Sequence, residues 1–342
     1  SNLNNFYGRW LNPELYRDMK GRDYQDEAFN VAQMTRANLS IRGGNDKTNL
    51  SFSSGIVNQD GVLITTGFKR WNNNFTINHE LSDKVRLWGA INYSNSNRSG
   101  ARTRNGRGDQ LLKKIILYRP VDPLNPSSGE EEGEGGFIPG VNDSDFVNLF
   151  DPIRDMKGTL REDKSHNIRV NTTLTMDLSK YLTFKTTNGF NTTIGQEELF
   201  YTLETQQGSR SANGINGRID GYERSTFSTS NTLAFKKNIR RTYLWAMIGT
   251  EYVHNSRFSD RLWNKNLPTD RFGIDNLDIA TTPTIAMTDA SENKLLSFFG
   301  RVNLNLNKNR YLFTATFRAD GSSKFQGDHR WGYFPSFSGA WQ

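Results

Sequence analysis

Apolar and polar side chains alternate one for one over unusually long stretches of this chain, and that alternation limits what it can fold into. In Ile168, Val170, Thr172, Leu174 and Met176 the apolar set interleaves with Asn167, Arg169, Asn171, Thr173 and Thr175. The same pattern recurs in Leu296, Phe298, Gly300, Val302, Leu304 and Leu306, and again in Tyr311, Phe313, Ala315 and Phe317. A period of two puts the two sets on opposite faces of a β-strand, whereas a helix would scatter them around its circumference. Strands of soluble domains cluster near 5–6 residues. At about 3.4 Å per residue and a tilt of about 40°, a strand of fourteen residues rises roughly 36 Å. That is enough to cross the ~25 Å apolar band of an outer-membrane barrel.

Composition excludes the alternatives. The 342 residues carry 43 Lys+Arg against 36 Asp+Glu, a net charge of +7, with 35% hydrophobic residues. No run approaches the ~18 consecutive apolar residues of a spanning helix. With 22 Phe, 12 Tyr and 7 Trp the chain is too aromatic to stay disordered. The absence of cysteine excludes a disulfide scaffold and cysteine–zinc sites. No N-terminal stretch reads as a secretory leader, so any signal peptide is expected outside these residues.

The pattern predicts eleven strands, at 34–42, 47–57, 67–80, 83–95, 164–178, 180–194, 224–237, 241–254, 294–306, 310–320 and 330–341. Short connections (43–46, 81–82, 179, 238–240, 307–309) alternate with long ones (58–66, 96–163, 195–223, 255–293, 321–329). Short periplasmic turns and long extracellular loops alternate in this way in outer-membrane barrels. The fold class expected is therefore all-β: a portion of an antiparallel up-and-down transmembrane β-barrel with long extracellular loops. Residues 1–33 lack strand alternation and read as an extracellular loop with a helical turn around Asn12–Met19, and 34–342 as about eleven strands. A short loop helix is expected within 108–119, where Leu111, Leu112, Ile115 and Ile116 fall at helical spacing before Pro120. Tyr181, Tyr243 and Tyr311 each follow a short turn, the place for an interfacial aromatic girdle.

The chemistry present points away from an enzyme. His79, His166, His254 and His329 are scattered, without a nucleophile or a second ligand at useful spacing, so no catalytic, metal or cofactor-binding residue is expected. The acidic run Glu130, Glu131, Glu132 and Glu134 lacks the spacing of an EF-hand loop. Arg98, Arg102, Arg104 and Arg107 resemble a nucleic-acid-binding segment, but no aromatic stacking platform accompanies them, and no nucleic acid is expected as a partner. Arginines alternating along the polar faces of long strands fit a wet lumen better. The expected ligand contacts are aromatic and polar residues of the long loops: Tyr201, Arg210, Trp263 and Asn264. An aromatic ring on a sugar face, with Asn or Arg bonding hydroxyls, is what glycan capture needs.

Two blocks carry a family resemblance. The first is Phe299-Gly300-Arg301-Val302-Asn303, then Tyr311-Leu312-Phe313-Thr314-Ala315-Thr316, then Arg318-Ala319-Asp320-Gly321-Ser322-Ser323-Lys324-Phe325 and Arg330-Trp331-Gly332-Tyr333-Phe334-Pro335-Ser336. The second is Tyr24-Gln25-Asp26-Glu27, followed by Leu39-Ser40-Ile41-Arg42-Gly43-Gly44-Asn45, Gly55, Asn58-Gln59-Asp60-Gly61 and Gly67-Phe68-Lys69-Arg70. Together they resemble the barrel of SusC/RagA-type TonB-dependent outer-membrane transporters. The resemblance implies a 22-stranded barrel in the bacterial outer membrane and an N-terminal plug. It also implies a SusD-like surface lipoprotein as lid, and import of oligosaccharides or peptides powered through TonB–ExbB–ExbD. Neither plug nor TonB-contacting box is found in this sequence, and eleven strands leave two edges that lipid cannot satisfy. The chain is thus expected to be a portion of a longer polypeptide, with plug and C-terminal strands outside it. The competing readings are a siderophore- or cobalamin-type receptor of the same barrel class, a surface β-rich adhesin, and an outer-membrane enzyme.

Overall fold

The computed structural model describes residues 20–101, 111–118, 151–209 and 212–342. Eleven strands form one antiparallel sheet in strict chain order. They are β1 Met34–Gly44, β2 Thr48–Asp60, β3 Gly67–Ser82, β4 Val85–Ser99, β5 Thr159–Asp177, β6 Leu182–Tyr201, β7 Asn216–Ile239, β8 Thr242–Asn264, β9 Ile285–Leu306, β10 Tyr311–Ser322 and β11 Trp331–Trp341. Among the described residues three short α-helices, α1 Tyr24–Ala28, α2 Leu111–Leu117 and α3 Pro152–Gly158, lie outside the strands.

Register converts the period-two pattern into two continuous surfaces. One row of directly opposed residues runs Ile41, Phe52, Phe75, Ile91, Val170, Phe190, Phe227 across β1–β7. Another runs Phe184, Leu233, Ile248, Gly300, Phe317 and Pro335 across β6–β11. The opposite face carries the row Asn38, Gly55, Asn72, Ser94, Asn167, Thr193, Arg224, Arg257, Ser291. A one-residue slip anywhere would exchange the two sets, so burial of one face in an apolar phase specifies register strongly. Phe337 and Trp341 of β11 are 79% and 74% exposed, an arrangement that water would penalise and lipid would not. Polar patches break the apolar face: Thr172, Thr186, Asn188, Thr229, Asn231 and Thr250 form an island on β5–β8, where Thr229 Oγ1 donates to Asn188 Oδ1 at 2.7 Å, and Ser54 opposes Asn73 across β2–β3.

The short-turn ends of all eleven strands fall within two residues of the sequence expectation, and β2 and β4–β10 outrun it at the long-connection end, whereas β1, β3 and β11 do not. β7 begins at Asn216 rather than 224, β8 runs to Asn264 rather than 254, and β9 begins at Ile285 rather than 294. The connections read as 195–223 and 255–293 shrink to 202–215 and 265–284. Beyond the apolar band no hydrocarbon layer imposes one apolar flank, so the hairpins keep their backbone ladders while the regular hydrophobic alternation disappears. Parity also corrects Tyr243, which opposes Asn305 on the polar face and is no part of an outward girdle. Tyr311 opposes Leu306 and Trp341 on the apolar face. The turn around Asn12–Met19, Arg102, Arg104, Arg107 and Glu130–Glu134 lie outside the described residues; the helix found in the first segment is α1.

At the long-connection end the chain builds two small cores of its own. Tyr24 and Ala28 of α1, Leu63, Leu111 and Ile115 of α2, Tyr118, and Ile153 and Met156 of α3 pack together. Ile115 and Met156 are each 1% exposed. Burial of each such side chain stabilises the cluster by roughly 1.5–3 kcal/mol. Asp23 caps α1 by accepting from the backbone N–H groups of Gln25 and Asp26, and Asp151 caps α3 in the same way through Ile153 and Arg154. Arg22 ties the two helices together, reaching Glu27 at 2.7 Å and Asp151 at 2.9 Å while its guanidinium lies 4.7 Å from the Tyr24 ring centre. The second core joins Phe200, Ile215, Leu267 and Leu277, with Ile219, Ile274 and Ile279 around it.

Candidate functional site

The polar face changes character toward the long-connection end of β4–β8. One row there reads Arg98, Asp163, Glu197, Asp220, Arg261 across five strands. Three carboxylates side by side would repel one another. Arginines from this row and the next offset that repulsion: Arg161 Nε reaches Glu197 at 2.9 Å, and Arg218 and Arg261 hold Asp220 from either side at 3.0 and 2.5 Å. The next row is Arg161, Leu199, Arg218, Trp263, and above it Tyr201 opposes Asn216. Beside these strands lies a cleft of about 640 Å³ lined by Val62, Leu63, Phe68, Arg98, Ala101 and Arg161. The Arg98 guanidinium lies 5.7 Å from the ring centre of Phe68 in this cleft, and that of Arg70 lies 5.9 Å from the same ring. Hydrogen-bonding charges of both signs therefore alternate with flat apolar rings on one wall. Such a surface can hold a polar, extended ligand by several weak contacts without any covalent chemistry.

Of the residues singled out from sequence, Tyr201 and Trp263 share this wall. The Trp263 indole N–H donates to Asn216 Oδ1 at 3.3 Å, and the Lys265 ammonium sits 4.0 Å from the Trp263 ring centre. The Trp263 ring is partly exposed and held in place, as a stacking platform requires. Asn264, its neighbour in sequence, points to the other face. It is 3% exposed and donates to the backbone carbonyl of Leu277, anchoring the 265–284 connection over the second core. Arg210 lies outside the described residues. Arg161, Glu197, Asp220 and Arg261 escaped the sequence reading, although the parity counted outward from Ile168 places 161 and 163 on the wet face.

Two aromatic–glycine contacts stiffen this face, one beside the charged row and one farther down. The ring of Tyr222 covers Gly195, its direct partner, so closely that a Cβ there would overlap it, and Phe299 covers Gly249 in the same way. Lower on this face Arg318 donates to Glu251, Asp320 and Ser297 at 2.6, 2.6 and 2.9 Å, and Ser297 is fully buried.

No family model matches the chain. Against curated proteins it is similar to the TonB-dependent receptor P3 of Formosa agariphila, at 24% identity over 326 residues, covering 93% of this chain and 31% of the relative. Similarity to the TonB-dependent receptor SusC of Bacteroides thetaiotaomicron is 26% over 344 residues, covering 94% and 32%. Among solved structures, the RagAB peptide importer in its open-open state superposes with a TM-score of 0.73 at 20% identity, over 98% of this chain and 37% of that one. The chain thus spans about a third of the length of the curated relatives it matches. Its sequence is similar to SusC-type TonB-dependent receptors along nearly all of its length, and its sheet has the fold of a portion of the β-barrel in such outer-membrane proteins.

Proposed function

We propose that this chain forms part of the wall of an active importer that takes oligosaccharides or peptides across the bacterial outer membrane, drawing energy through TonB–ExbB–ExbD by way of segments outside it. A SusD-like surface lipoprotein would close the long-connection end as a lid. Residues 1–33 would belong to the extracellular surface, with 34–342 forming the barrel wall. The observation that carries this reading is the asymmetry of the sheet. Its polar face is continuous from β1 to β9 while the other is apolar, and at the long-connection end the polar face carries a row of carboxylates and arginines beside partly exposed rings. A barrel wide enough for many strands encloses a lumen that its own side chains cannot fill. A wall at the outer mouth that alternates cations, carboxylates and rings suits capture of a bulky polar molecule better than size sieving.

Trp263 and Tyr201 are the proposed stacking contacts, with Arg218 and Arg261 supplying hydrogen bonds, the buried Arg161 bracing Glu197 behind them and Asn264 holding the loop above. The test is uptake by cells carrying the full-length receptor. Trp263→Ala should lower binding of the imported oligosaccharide or peptide about 5–150-fold, the range for losing one stacked ring at about 1–3 kcal/mol. Barrel assembly, read from gel migration with and without heating, should stay unchanged. A receptor deletion that spares growth on every glycan and peptide tried, yet abolishes uptake of a ferric siderophore, would overturn the substrate class.

A further inference from the structure

The short-turn end of the sheet carries a charge pattern that ligand capture at the opposite mouth leaves unused. The segments 178–182, 235–243 and 306–311 form or border three consecutive turns, and hold Lys180, Lys236, Lys237, Arg240, Arg241, Lys308 and Arg310 with no Asp or Glu among them. All seven are exposed, and no carboxylate lies within ion-pair distance of any of them among the described residues. The closest acidic group in this region, Asp177, is committed to Arg86 at 3.0 Å and to the Thr183 hydroxyl at 2.8 Å. The backbone N–H of Lys308 donates to the carbonyl of Arg241 at 3.0 Å, so neighbouring turns are joined into one arc. Arg240 holds φ 53° in a two-residue turn, where Asn or Gly would be less strained. The opposite end of the apolar face differs: Glu162, Glu198, Glu223, Asp260 and Glu292 stand there with Lys164 and Lys294.

Depth identifies the partner. The arc begins where the apolar face stops, next to Leu233, Phe235, Leu304, Leu306 and Phe313. Its cations sit on interfacial rings: the Lys180 and Lys237 ammonium groups lie 4.9 and 5.3 Å from the Tyr181 ring centre, and the Arg310 guanidinium lies 6.0 Å from that of Tyr311. Rings at the apolar boundary with cations just beyond them match the layering of a phospholipid leaflet, in which acyl chains give way to phosphates. A soluble acidic protein would not require that layering. We infer that the turns joining β5–β6, β7–β8 and β9–β10 form a docking arc for anionic phospholipid headgroups of the inner leaflet of the outer membrane.

This rests on the reading above that the short turns face the periplasm, and the test separates the two claims. The full-length receptor is released from detergent micelles in a mass spectrometer after incubation with phosphatidylglycerol or phosphatidylcholine of equal chain length. Retention of phosphatidylglycerol should exceed that of phosphatidylcholine by about tenfold or more at low salt and fall as salt rises. The quadruple variant Lys237→Gln, Arg240→Asn, Arg241→Gln, Lys308→Gln should lose the preference. Equal retention of both lipids by the unaltered receptor overturns the inference, and so does an unchanged preference in the variant. Binding of a poly-glutamate peptide without any lipid preference also overturns it, in favour of an acidic protein partner. Separately, an Arg240→Cys variant should resist a membrane-impermeant maleimide in intact cells; labelling would refute the orientation while leaving the lipid measurement to stand or fall by itself.

Discussion

Leu174→Arg tests the assignment of faces directly. Leu174 lies on the outward row of β5 between Leu87 and Thr186. The apolar run of that strand extends from Ile168 to Met176, interrupted only at Thr172. Eight residue steps of about 3.4 Å at a tilt of about 40° give this run a height of roughly 21 Å, centred on Thr172, which places Leu174 about 5 Å from the midplane. An arginine costs about 2–4 kcal/mol at the centre of the bilayer and about 0–1 near its edges. Leu174→Arg should therefore cost about 2 kcal/mol, roughly a thirtyfold shift in the folding equilibrium. Thr173, one residue away, faces the wet side opposite Trp88, and its hydroxyl lies 3.3 Å from that of Thr187. Thr173→Arg forfeits that bond, about 0.5–1 kcal/mol. Urea titration of the full-length receptor folding into lipid vesicles measures both. Equal costs, or a larger cost for Thr173→Arg, would refute the division into lipid and lumen faces.

Further expectations concern the cap and the wall. Ile115→Ala should cost the α1–α2–α3 cluster about 2–5 kcal/mol, seen as faster hydrogen exchange in residues 24–28 and 151–158 without loss of barrel assembly; slow exchange there would show that the cluster does not depend on this side chain. The hydrogen bonds from Arg22 hold the Glu27 carboxyl below the ordinary carboxylate range. The stability it lends is therefore present above a pH of about 4.3 and lost as pH falls through the lowered value. Exchange in α1 should rise at acidic pH, and Glu27→Gln should remove that dependence. Gly195→Ala should cost about 1–3 kcal/mol by driving the Tyr222 ring aside, and the double variant with Tyr222→Ala should cost less than the two changes summed.

The existence of the strands was legible because a membrane imposes one wet and one apolar flank over many residues, as in 164–177. The same logic explains where reading stopped. The segment Asn216–Glu223 lacks apolar alternation because it lies beyond the apolar band and packs only locally on the second core, so its ladder to β6 and β8 is what makes it a strand. The charged row is a product of register: Arg98 and Arg261 are far apart in sequence and become part of one surface through four successive pairings. Trp263 and Asn264 were read as a pair from composition, yet adjacent residues of a strand face opposite ways, and strand parity would have separated them. The polar island at Asn188 and Asn231 had no expectation behind it, because their apolar neighbours Phe190 and Leu233 dominate the local pattern.

The longest hairpin has a spatial consequence. β7 and β8 contain 24 and 23 residues, and at the same tilt they climb roughly 60 Å, of which the hydrocarbon layer needs only about 25 Å. Their tips therefore stand about 30 Å clear of the bilayer. On the proposed reading, a ligand would first be touched far above the membrane, and its capture and its passage would be separated by about the length of a small protein.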